Sequence, residues 1–184
     1  MMNAARWLAL DAELSAMLNV AEREGGVFMQ VRRVAGVLAH SGDSWFWVAG
    51  LLLVGALGGR DWRTRAGVLT WAIIGLAVAV QLVKRLIARP RPAGEWGAIY
   101  RNSDPHSFPS GHAARAGLLF GLAPVVGPAW FGWLVMTWSP LMALSRVVMG
   151  VHYLSDVVGG FGLGVLVARV LGRGARKRMV KLEK

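Results

Sequence analysis

Five apolar runs, over residues 44–59, 66–83, 113–126, 129–144 and 153–171, constrain this chain more than any other feature. Charged residues, or a Gly-Pro pair, bound them. Crossing the hydrocarbon core of a bilayer as a helix takes about 20 largely apolar residues, somewhat fewer where the bilayer thins or flanking groups snorkel. The runs therefore predict an all-α fold: a polytopic membrane helical bundle of about five transmembrane helices. Residues 4–40 are broken by Asp11, Glu13, Glu22, Glu24, Arg32 and Arg33. That pattern reads as one or two amphipathic helices lying in the interface rather than a cleavable signal peptide, with a sixth span possible over residues 27–39. The expected organisation is an interfacial segment over 1–43, a transmembrane catalytic domain over 44–171 and a basic tail over 172–184.

Composition narrows the function. Apolar residues make up 55% of the 184, and there is no cysteine, which excludes disulfides, thiolate metal sites and cysteine nucleophiles. The net charge of +11 does not form one stripe but collects between the apolar runs and in the tail. This fits a membrane topology and an anionic substrate, with membrane lipids and not nucleic acid as the surroundings. Trp45 and Trp47 stand where interfacial anchors would. Gly159, Gly160, Gly162 and Gly164 read as packing positions that let helices approach closely.

Ionisable residues near membrane depth are costly and so mark function by default. Here they fall into three clusters: Lys84 with Arg91-Pro92, Pro109-Ser110-Gly111-His112, and Ser145-Arg146 with His152 and Asp156. The second run ends, the third begins, the fourth ends and the fifth begins at these clusters, so helices of alternating direction bring them to one membrane face. The residue types suit phosphoryl transfer. Lys84, Arg91 and Arg146 can neutralise phosphoryl oxygens, and the Ser110-Gly111 backbone at a helix start offers N–H donors aided by the helix dipole. Neutral His152 can attack phosphorus, and Asp156, one helical turn on if that stretch is helical, can orient the ring and stabilise its charge. His112 is then available to protonate the leaving oxygen and to activate water. The cations supply what a metal supplies elsewhere, so no metal and no cofactor is expected. A metal group of Asp104, His106 and His112 lacks an acidic shell. Tyr100, Arg101 and His106 form a loop at the mouth where substrate contact is possible. Arg115, one turn after His112, either reaches a head group or lines the bundle.

The pattern K-x6-RP, PSGH and SR-x5-H-x3-D resembles that of the type 2 phosphatidic acid phosphatase (PAP2) superfamily, with every fixed position matched between residues 84 and 156. The resemblance implies a helical bundle with His152 as nucleophile, His112 as acid and base, Asp156 as orienter, and Lys84, Arg91, Ser110, Gly111 and Arg146 binding phosphate. It also implies a phosphorylated lipid substrate. An undecaprenyl or other polyprenyl diphosphate is favoured, with phosphatidylglycerol phosphate and phosphatidic acid as alternatives. A non-catalytic anion- or lipid-binding membrane protein is the competing class, though binding alone needs no nucleophile. Arg60, Arg63, Arg65 and the basic tail share the face opposite the clusters, while Arg6, Arg23, Arg32 and Arg33 on the site face are offset by acids, so the positive-inside rule favours a site turned outward from the cell membrane, with a cytoplasmic-facing site as the alternative.

Overall fold

The computed structural model describes residues 3–94 and 104–182. Seven helices occur among them: α1 (Ala4–Leu18), α2 (Gly26–Ser41), α3 (Ser44–Leu57), α4 (Arg60–Ile87), α5 (Gly111–Val126), α6 (Ala129–Val148) and α7 (Leu154–Leu182). No strand is present among the described residues. The base of the loop between α4 and α5 is closed by a single antiparallel bridge, Pro90 with His106.

All five apolar runs are helical. α4, α6 and α7 are each long and apolar enough to cross a membrane. α3 has only 14 residues, but α2 and α3 together pass the same test as one span bent by 51°. The basic pair Arg32 and Arg33 thus sits on a helix that is continued, after a break at Gly42 and Asp43, by a fully apolar one. Outward side chains agree with a lipid surround. Leu52, Leu53, Trp71, Val78, Leu86, Trp133 and Leu166 are all more than half exposed, as a water-soluble domain would not leave them.

α5, with 16 residues, is a shorter apolar helix and lies mostly inside the bundle. It packs against α4, α6 and α7, and ten of its 16 residues, from Ala113 to Val126, are buried. A helix apolar all round belongs in the middle of a bundle. The main core gathers Leu69, Ile73, Leu76 and Val80 of α4, Leu118, Leu119 and Leu122 of α5, and Ala168 and Ala175 of α7. Two-residue links, Gly58-Gly59 and Gly127-Pro128, make consecutive helices antiparallel.

The glycine pattern of the last run resolves by position. A Cβ at Gly164 would overlap the Ala114 carbonyl of α5 and one at Gly160 would press on that of Ser110, whereas nothing lies within 4 Å of Gly162. Only the first two let α7 close on α5. Of the two tryptophans expected at the interface, Trp45 is exposed, while Trp47 turns inward. The Trp47 indole N–H donates to the Ser41 carbonyl at 3.0 Å and its ring packs 5.3 Å from that of Trp138. An internal hydrogen bond and ring partner outcompete the headgroup layer. Gly164→Leu is expected to destabilise the protein by roughly 1–3 kcal/mol or more through overpacking, and Gly162→Leu to leave it unchanged; thermal unfolding in detergent measures both.

Candidate active site

α4 runs into the site face and ends at Ala88, whose left-handed backbone (φ 49°) redirects the chain so that Arg89 and Arg91 diverge. Arg91 enters a cavity of about 170 Å³. Lys84, Gly111, His112, Arg115, Arg146 and His152 line it with Arg91, so the three clusters meet as their topology predicts. At about 30 Å³ per water in the liquid, such a volume has room for a phosphoryl group. Lys84, Arg91, Arg115 and Arg146 are each at most 7% exposed.

His152 stands between a cation and a carboxylate. Its Nε2 lies 3.1 Å from Arg91 Nη1, and its Nδ1 lies 3.4 Å from Asp156 Oδ2. A guanidinium only donates, so Nε2 carries the lone pair and Nδ1 the proton that faces Asp156. Burial first, and then the cations of Arg91, Arg146 and Lys84, push the imidazole well below its ordinary pKa. The ring is therefore neutral at pH 7, the state a nitrogen nucleophile requires.

Asp156 is fully buried and held from several sides. Its Oδ2 accepts the Tyr153 N–H at 2.9 Å and its Oδ1 accepts from Arg89 at 2.9 Å. Ser110 is also fully buried. Its N–H donates to the Asp156 carbonyl at 3.0 Å, and its hydroxyl caps α5 by accepting from the Ala113 N–H at 3.4 Å. Ser110 thus fixes the two helix starts to each other, while Gly111 and His112 are the members of that motif on the cavity wall. Of the loop residues, His106 meets Lys84 through its backbone carbonyl, 2.8 Å from Nζ. Tyr100 and Arg101 lie outside the described residues. Arg115 donates to the Gly42 carbonyl and the Ser44 hydroxyl as well as facing the cavity.

Four polar residues here carry no sequence motif. Asp104 bridges two cations, its Oδ2 lying 2.6 Å from Lys84 Nζ and 2.8 Å from Arg91 Nη2. Asp43 accepts from His112 Nε2 at 2.8 Å. Arg89 stacks on the Tyr153 ring at 4.0 Å and bridges Asp156 to Asp11 of α1, the latter at 2.7 Å. Asp11 also accepts the Ser155 N–H at 2.9 Å, so α1 is tied to the start of α7. Burial alone would raise the Asp11 carboxyl, but hydrogen bonds from Ser155 and Arg89 outweigh it and hold the group below its usual pKa. Among the described residues, no three His, Asp or Glu side chains gather as a metal-holding group.

Comparison with known proteins follows the same lines. The PAP2 superfamily model matches residues 65–179. The chain is 38% identical over 156 residues to a decaprenylphosphoryl-5-phosphoribose phosphatase of Mycobacterium tuberculosis, covering 78% of this chain and 81% of that protein. It is 29% identical to phosphatidylglycerophosphatase B of Bacillus subtilis, over 71% of this chain and 68% of that one. In structure it is similar to a transmembrane PAP2-type phosphatidylglycerolphosphate phosphatase from Bacillus subtilis, with a TM-score of 0.73, 23% identity and coverage of 97% of this chain and 89% of the other.

The Asp104 carboxylate sits on two cavity cations, so an incoming tetrahedral oxyanion competes with it. Asp104→Asn is expected to tighten tungstate binding several-fold by calorimetry in detergent, whereas weaker binding would mean that Asp104 serves to preorganise Lys84 and Arg91.

Proposed function

This chain belongs to the PAP2 superfamily, and from that premise we propose that it hydrolyses a phosphorylated lipid through a covalent phosphohistidine on His152. The observation that carries the proposal is the His152 Nε2 lone pair, 3.1 Å from Arg91 in a small cationic cavity, with the other ring nitrogen turned to Asp156. Phosphoryl oxygens entering between Lys84, Arg91 and Arg146 are neutralised before any bond changes, and Gly111 at the start of α5 adds the helix N-terminus. Nε2 forms a bond to phosphorus as the ester or anhydride P–O bond breaks, and the leaving oxygen takes a proton from His112. Asp156 compensates the positive charge that the phosphorylated ring acquires. Water then attacks phosphorus, His112 takes back a proton, and the N–P bond breaks to return neutral His152 and release phosphate.

The lipid class rests on the membrane setting and on the relatives. A cavity sized for a phosphoryl group, at the end of an apolar bundle, leaves the rest of the substrate in the bilayer. The higher identity is to a phosphatase named for a decaprenyl-linked phosphosugar, which supports a polyprenyl-linked phosphate over a glycerophospholipid. Phosphate release by the detergent-solubilised protein tests this across a polyprenyl diphosphate, a polyprenyl-linked phosphosugar, phosphatidylglycerol phosphate and phosphatidic acid. We expect the polyprenyl substrates to give the highest kcat/KM and EDTA to leave the rates unchanged. His152→Ala is expected to lower turnover by roughly 10³-fold or more. A His152→Ala protein as active as the parent contradicts the nucleophile.

The same reading turns the site outward, with Arg60, Arg63, Arg65 and the tail on the cytoplasmic side. The chain has no native cysteine, so single replacements report sidedness cleanly. In intact cells a membrane-impermeant maleimide is expected to label Ala93→Cys and not Lys181→Cys; the reverse pattern places the site in the cytoplasm.

A further inference from the structure

Asp43 occupies the N-cap position of α3, yet its side chain makes no capping hydrogen bond. An aspartate there ordinarily accepts from the first turn's free N–H groups and so stabilises the helix start. The carboxylate instead reaches across to α5, where Oδ1 lies 2.8 Å from His112 Nε2, and Oδ2 lies 3.3 Å from Nδ1 of the exposed His40 of α2. The residues on either side of it are fixed from the same helix, since Arg115 donates to the Gly42 carbonyl and the Ser44 hydroxyl. The break between α2 and α3 is thereby fastened to α5 around a single imidazole.

We propose that Asp43 is the positioning residue of His112, holding Nε2–H so that Nδ1 is the nitrogen that exchanges the proton with the leaving oxygen and with water. This rests on the phosphohistidine reading above. A carboxylate can only accept, so Nε2 keeps its hydrogen in both protonation states of the ring and Nδ1 alone gains and loses one. At the start of the first step Nδ1–H faces the leaving oxygen. After P–O cleavage that proton resides on the alcohol or phosphate released, and Nδ1 takes one from the attacking water in the second step. The doubly protonated ring is positive and faces Arg146 of α6 and Arg115 of its own helix. Asp43 compensates that charge, with His40 behind it. The site then holds two His–Asp pairs, one ordering the nucleophile and one the proton carrier.

The test is a kinetic cycle of the parent, Asp43→Asn, His112→Ala and the double variant on two soluble phosphomonoesters, one with an acidic phenol and one with a simple alcohol as leaving group. A weakly acidic alcohol needs the proton and a phenol needs it far less. Asp43→Asn is expected to lower kcat about 10-fold or more on the alkyl ester, much less on the aryl ester, with KM on both within about two-fold of the parent. It should add nothing in the His112→Ala background, and Asp43→Glu, which keeps the carboxylate, should recover part of the alkyl activity. Equal losses on both esters, additive losses in the double variant, or a Glu variant as impaired as the Asn one would overturn the role of Asp43 while leaving the nucleophile intact. A His112→Ala protein with parental rates on both esters, or a parent that hydrolyses neither, would overturn the underlying phosphotransfer reading and this inference with it.

Discussion

Four cations, Lys84, Arg91, Arg115 and Arg146, are buried at one end of an apolar bundle, and a charge taken out of water costs on the order of several kcal/mol unless it is compensated. Much of the arrangement around the site follows from meeting that cost. Asp104 bridges Lys84 and Arg91, the Gly42 carbonyl and Ser44 hydroxyl take Arg115, and backbone carbonyls of Val151, Asp104 and His106 take further donors. The helix layout supplies these partners because the ends of α4 and α6 and the starts of α3, α5 and α7 all lie on this face. A cavity lined by cations is then a standing receptacle for an oxyanion, with its electrostatics set before substrate arrives.

The N-terminal segment is bound into this arrangement rather than resting beside it. α1 reaches the start of α7 through Asp11 and Ser155, with Ser15 accepting the Leu154 N–H at 2.8 Å, and Arg89 carries that connection to Asp156. The α2–α3 break delivers Asp43 to His112. Both carboxylates of the proposed dyads are therefore tied to helices that precede the motif-bearing region, and truncation before residue 44 would remove groups from the site itself.

The central constellation was legible in the sequence because each motif is local and the alternation of helices decides the rest. Lys84, Gly111, His112, Arg146 and His152 needed only helix direction to be placed together, and the four-residue spacing of His152 and Asp156 brings them within 3.4 Å although His152 lies in the bend just ahead of α7. The acids that serve these residues were not legible. Asp43 lies 69 positions from His112 and Asp11 lies 78 from Arg89. Both occur in a stretch whose mixed charges look solvated, and nothing in the sequence distinguishes a buried acid from an exposed one there. Ser110 illustrates a subtler limit: its motif reads as a phosphate-binding turn, yet its hydroxyl is used to cap α5. Trp47 shows that an aromatic at a span end takes an internal partner when one is within reach.

The proposed mechanism depends most on a covalent bond between phosphorus and His152. Rapid alkaline quenching during turnover of a phosphate-labelled substrate, followed by peptide mapping, tests it most directly. The prediction is label on the peptide carrying His152, stable to base and lost in acid, and more abundant in the His112→Ala protein, where water attack is slowed. Continued turnover with no labelled peptide, or label carried by another residue, would contradict it.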